Sequence, residues 1–199
     1  MRDDVRVMLA PFATYRRQLA ERRGPGPFTA CARPMLVALV IGALVTLGHG
    51  GELLPTLLLG SVLAFLWVPL LQLVLVTPLV ALCRPAPVSW PRAVDLFFLS
   101  HGPWSFWLLA VAGFVLVRPP SGLAGLAGTA WLAPSALLPT AWTAFILFAY
   151  GRTVLALSPV RSILFLAVYE AAIGACVYLL VGLATYRLSP FSLNPSYWP

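Results

Sequence analysis

LLPTLLLGSVLAFLWVPLLQLVLVTPLVAL, residues Leu53–Leu82, is a run of thirty residues without a charge, closed by Glu52 on one side and Cys83-Arg84 on the other. As a helix it would measure about 45 Å, enough to cross a hydrocarbon core of about 30 Å with tilt to spare. Working outward, four more apolar blocks follow the same plan: Pro34–Gly48, Val94–Val117, Ala130–Tyr150 and Val160–Tyr186. All but the first reach the twenty or so residues that a spanning helix needs. With 60% hydrophobic and 10% charged residues, the chain lies far from a soluble domain, where about a quarter of residues are charged. The pattern predicts an all-α, polytopic membrane bundle of five transmembrane helices.

The arginines orient it. Arg2, Arg6, Arg16, Arg17, Arg22, Arg23 and Arg33 precede the first span, Arg84 and Arg92 fall in the second connection, and Arg152 and Arg161 in the fourth. Only Arg118 and Arg187 fall on the other side, a split of eleven to two. By the positive-inside rule the N-terminus is cytoplasmic and the C-terminus outside. Removing or adding a span would scatter the arginines over both faces, so five is the self-consistent count. The expected organisation is a basic segment with a Pro/Gly spacer over residues 1–33, a transmembrane domain over 34–187 and an outer interfacial tail over 188–199.

A net charge of +7 would suggest nucleic acid in a soluble protein. Here the basic residues flank membrane segments, so we expect anionic lipid headgroups and no nucleic acid. All thirteen basic residues are arginine and none is lysine. Together with abundant Ala, Leu, Gly and Pro, this points to GC-rich codons and a bacterial inner membrane. Leu47-Gly48-His49-Gly50 after the first block lacks a small-x-small cleavage site, so that block is expected to stay as a span. Cys31, Cys83 and Cys176 form no CxxC pair, and we expect neither a disulfide framework nor a metal site.

Before the first span, Val5, Met8, Leu9, Phe12, Tyr15 and Leu19 share one arc of a helical wheel, with Arg6, Thr14, Arg17, Gln18 and Glu21 facing away. Arg16 and Arg23 intrude on the arc. This predicts a helix lying on the membrane through Met8, Phe12, Tyr15 and Leu19, with Arg6, Arg16 and Arg17 toward headgroups. Pro11 should divide it into two pieces, the second beginning at the proline. The segment Ala10-Pro11-Phe12-Ala13-Thr14-Tyr15-Arg16-Arg17-Gln18-Leu19, the Pro/Gly spacer and the five close-set spans resemble the Yip-domain family of Rab-GTPase-interacting membrane proteins, in particular its short bacterial members. These often carry a Pro-x-x-Thr-aromatic-Arg stretch before the first span. The resemblance implies a helical bundle of the same orientation and a role in membrane organisation or protein binding, without catalytic chemistry. It does not extend to the GTPase partnership, because the long N-terminal region of the eukaryotic members has no counterpart here.

Polar groups within the spans carry the remaining functional information, since they are costly in a bilayer and usually face protein or water. His101 lies nine residues past Arg92 and Glu170 nine past Arg161, so both are expected about 13 Å deep. His101-Gly102-Pro103 should kink the third span, and Asp95 lies between the kink and the cytoplasmic face. The three residues make a candidate intramembrane polar track. It could glue two helices or carry protons. The ladder Ala167, Ala171, Ala175 is a small-residue stripe suited to a close neighbouring helix. Enzyme signatures such as HExxH or Gly-x-Ser-x-Gly are missing, and no cofactor is implied. Two function classes follow: a non-catalytic Yip-like scaffold or accessory protein with a membrane or cytoplasmic protein partner, and a small transporter or channel subunit using Asp95, His101 and Glu170.

Overall fold

The computed structural model describes residues 2–21, 27–50, 55–83, 85, 88–117 and 132–192, and every element among them is helical. In chain order these are α1 (Arg2–Leu9), α2 (Pro11–Ala20), α3 (Pro27–Gly50), α4 (Pro55–Cys83), α5 (Trp90–Leu99), α6 (Gly102–Val117), α7 (Leu132–Ser135), α8 (Leu137–Thr153) and α9 (Pro159–Ser192). The two N-terminal pieces divide at Ala10, whose φ of −143° and ψ of 69° leave the helical region, and Pro11 opens α2. Proline suits that place because a first-turn N–H has no intrahelical partner. Pro27 opens α3 seven residues before the expected start of the first span. The spacer residues 22–26 and the tail from residue 193 lie outside the described residues.

The third apolar block is broken where Pro103 removes the donor that Leu99 O would otherwise receive. Ser100 N and His101 N donate instead to Phe97 O and Phe98 O at 2.9 and 3.2 Å, and the α-helical pattern resumes with Ser105 N to His101 O at 2.9 Å. Ser100 Oγ adds a bond to Phe97 O at 2.6 Å. One turn of tighter i−3 bonding thus re-satisfies the backbone across a bend of 48°.

Among the described residues, α4 and the first part of α9, Pro159–Cys176, are each long and apolar enough to cross a membrane, and the bent α5–α6 pair makes three if taken as one span. Of the other two expected spans, α3 runs over 24 residues with an apolar stretch at Ala32–Leu47, and α8 has 17 residues, about 26 Å of helix. Among the described residues the protein is therefore all-helical, with two to three candidate membrane-crossing helices.

α5 forms the centre, with α3 against both α5 and α6, α4 beside α3 and α5, and α8 against α6 and α9. The core is built from Val76 and Val80 of α4, Leu96 to Leu99 of α5, Ile146, Leu147 and Tyr150 of α8, and Phe165 and Tyr169 of α9. Leu59 and Val74 of α4 and Ile163 and Leu164 of α9 stand exposed instead. An apolar outer wall of that kind suits lipid as its solvent.

The closest helix pairing is not at the alanine ladder. Ala167, Ala171 and Ala175 are exposed, and a Cβ on Gly174 would meet nothing within 4 Å. The close approach is between α3 and α4, where a Cβ on Gly42 would lie 2.9 Å from both Cα and N of Val62. Thr46 bridges the same seam, donating from Oγ1 to Gly42 O at 2.8 Å and lying 3.2 Å from Ser61 Oγ.

Candidate functional site

His101 occupies the break between α5 and α6 and is 9% exposed. A histidine ring at a helix break can turn away from both helices, and this one reaches α9. Its Nε2 lies 3.0 Å from Tyr169 Oη. On the other side, Nδ1 lies 3.1 Å from Ser100 Oγ and 3.3 Å from Phe97 O. Both ring nitrogens are thus engaged, and Gln72 of α4 lies beside the Tyr169 hydroxyl. Three segments of the bundle, α4, the α5–α6 break and α9, meet at this node.

Aromatic rings pack round it. Phe97, fully buried, stands with its centroid 4.8 Å from that of His101, 5.3 Å from Tyr169 and 5.9 Å from Tyr150, the last two edge-to-face. Tyr150 continues the chain of rings to Tyr15 of α2 at 5.9 Å and donates from its hydroxyl to Ala93 O at 3.0 Å. Edge-to-face pairs of this kind contribute about 0.5–1.5 kcal/mol each beyond simple burial. The cluster runs unbroken from the N-terminal segment to the bend.

The expected polar track is dispersed. Glu170 is half-buried on α9 and is not among the partners of His101; the residue that meets the imidazole is Tyr169, one position earlier. Successive residues point about 100° apart round a helix, so Tyr169 facing the break turns Glu170 aside. Asp95 is not among the partners of His101 either. Its carboxylate lies 3.6 Å from Arg92 and 3.9 Å from Arg33, at the start of α5. Arg92 in turn donates to Gln18 Oε1 at 2.8 Å and to Gln18 O, capping the last turn of α2. Asp95 therefore belongs to an ion cluster that fastens α2 and α3 to α5. Among the described residues no group of three or more His, Cys, Asp or Glu could hold a metal ion.

The N-terminal helices are placed differently from the flat surface helix of the sequence reading. Tyr15 is fully buried, and Met8, Phe12 and Leu19 pack against the core. Phe12 meets Phe145 and Phe148 of α8 edge-on at 6.2 and 6.4 Å, and Trp142 Nε1 donates to Met8 O at 3.0 Å. The larger residues of the apolar arc are thus covered by α8, because an aromatic wall is available there. Burial holds the Tyr15 phenol well above its ordinary range, with the nearby Tyr150 adding to the effect and Arg33 opposing it. What faces outward is a second, smaller apolar strip, Val5, Leu9, Ala10 and Ala13, with Arg16 exposed beside it and Arg6 and Arg17 half-exposed.

Tyr169, Phe97 and Tyr150 were not singled out by sequence reasoning. A usable signal existed for Tyr150 and Tyr169, since a phenol placed in an apolar span needs a partner for its hydroxyl. Comparison of the chain with family models, curated proteins and solved structures gave no match.

Proposed function

We propose that this protein is a non-catalytic five-span membrane scaffold or accessory protein of the Yip-like type, with α3, α4, α5–α6, α7–α8 and α9 as the spans and the N-terminus cytoplasmic. The observation that carries the reading is the His101 node. Both nitrogens of the histidine at the break are engaged, by Ser100 and Phe97 on one side and Tyr169 on the other, and the rings of Phe97 and Tyr169 pack about it. Such a node fixes how helices pack; interhelical polar contacts average about 0.6 kcal/mol and reach about 1.7. The orientation is supported by the gathering of Arg33 and Arg92 round Asp95, with Tyr150, two residues before Arg152, bonded to the carbonyl of Ala93. Those arginines therefore share one end of the bundle, as the positive-inside rule requires. A bacterial inner membrane is the home that the all-arginine composition suggests.

Purification from a mild detergent tests this reading against the transporter reading. A scaffold should bring down a stoichiometric membrane or cytoplasmic protein, and should do so equally when His101→Leu and Tyr169→Phe are combined. Solute or proton flux in proteoliposomes that is abolished by His101→Leu, with no partner recovered, would replace the scaffold with a carrier.

A further inference from the structure

The outward strip of α1 and α2 has a shape and charge that the covered arc does not explain. Arg6, Leu9, Ala10, Ala13, Thr14 and Arg17 line a shallow open groove where the two helices meet. The spacing is i, i+3, i+4, i+7, i+8 and i+11, so the groove follows one stripe of the bent pair, with an arginine at each end and Leu9, Ala10, Ala13 and the buried Thr14 between them. Leu9 is 76% exposed. An exposed apolar strip flanked by like charges suits an amphipathic ligand, and the two arginines say which sign of charge it carries.

The neighbouring surface gives its class. α1 and α2 are fastened to α8 through Trp142, Phe145 and Phe148, and α8 itself exposes Leu137, Leu138 and Phe145. Exposed apolar residues of α8 and of α1, Val5 and Leu9 among them, thus stand on elements packed against each other. A ligand that fits both these residues and the arginines has apolar chains and an anionic head. Arginine suits such a head because its planar fork donates two parallel hydrogen bonds to phosphate oxygens.

We propose that the Arg6–Arg17 groove of the α1–α2 pair is a binding site for the headgroup of an anionic phospholipid, whose chains lie along Leu9 and the exposed face of α8. The site rests on the membrane reading of the bundle but not on the scaffold role. Arg17 also lies 3.8 Å from Glu21 in an exposed i,i+4 pair, which water and salt screen, so the carboxylate lowers the local positive charge only in part.

The full chain reconstituted in nanodiscs of phosphatidylcholine with a minority of phosphatidylglycerol provides the test, read by native mass spectrometry of the lipid retained after release. Wild type should keep phosphatidylglycerol in excess over its share of the disc. Arg6→Gln with Arg17→Gln should lower that excess at least tenfold. Arg161→Gln, which removes an exposed arginine from the α8–α9 end, should leave it unchanged, and Arg6→Lys with Arg17→Lys, which keeps the charge and loses the fork, should restore only part of it. Helical content by circular dichroism separates loss of binding from loss of fold. Equal retention by wild type and the double glutamine variant, or equal loss in Arg161→Gln, would overturn the site. Neither outcome depends on whether a protein partner copurifies, so the site and the scaffold can fail separately.

Discussion

Replacing Gly42 by alanine asks the α3–α4 seam to accept a single methyl group. The added Cβ would stand 2.7 Å from Val62 Cγ2 and 2.9 Å from both Cα and N of Val62. Comfortable carbon contacts begin near about 3.5 Å, so the two backbones must part locally by roughly 0.6 Å. A backbone atom cannot turn aside as a side-chain tip can. Overpacking of this kind costs about 1–3 kcal/mol. Parting by that amount would also carry Thr46 Oγ1 and Ser61 Oγ, now 3.2 Å apart, out of hydrogen-bond range, a further loss of about 0.6 kcal/mol. Against this, alanine is the better helix former by about 1 kcal/mol. The expected balance is a loss of about 1–2 kcal/mol.

Gly60 and Gly113 make the comparison internal, because a Cβ at either would meet nothing within 4 Å. Gly60→Ala and Gly113→Ala should leave stability unchanged or raise it by up to about 1 kcal/mol. Thermal unfolding in detergent, followed by tryptophan fluorescence on all three variants, gives the answer. Gly42→Ala should melt below wild type and the other two at or above it. Adding Val62→Ala to Gly42→Ala should recover only part of the loss, since it removes the Cγ2 contact and leaves the two backbone contacts. Equal melting of all three glycine variants would refute the close approach.

Ala156, in the α8–α9 connection, has φ of 54°, a left-handed conformation that costs a residue with a Cβ about 1–2 kcal/mol. Ala156→Gly should therefore raise the melting temperature, and Ala156→Val should lower it. Arg92→Gln removes the donor to Gln18 O and Oε1 and one partner of Asp95; bonds to charged groups are worth about 1.5–3 kcal/mol. Hydrogen exchange should accordingly speed up in residues 11–20 well before it changes in α4 or α9. The Tyr15 hydroxyl is buried without a partner among the described residues, so Tyr15→Phe should be neutral or stabilising. Burial raises the phenol's pKa in the folded state; wild-type stability is then constant below the ordinary phenol value of about 10 and falls as pH rises beyond it. The phenylalanine variant should lose that part of the alkaline slope.

Period and punctuation were legible in the chain because each acts along a single helix. Pro11 and Pro103 mark the break between α1 and α2 and the bend at His101, since a missing donor is a local fact that no tertiary contact can repair. Rotation about the helix axis was not legible in the same way. The depth argument placed His101 and Glu170 at one level, and the bond that forms is made by Tyr169, whose neighbour on α9 shares its depth but faces about 100° away. The small-residue ladder failed on the same ground: Ala167, Ala171 and Ala175 share a face of α9, but that face is the exposed one, while the close contact uses Gly42, a single glycine with no periodic signal. The N-terminal wheel holds more apolar arc than one partner needs. Phe12 and Tyr15 meet aromatic rings on α8 and turn inward, which leaves Leu9 and Ala13 to the surface. Which side of an arc meets protein depends on what the facing helix offers, and that is a property of the pair. A pattern read one helix at a time can therefore give the level of a polar residue and the breaks in its span, while its partner is decided by the rotation that the neighbouring helices impose.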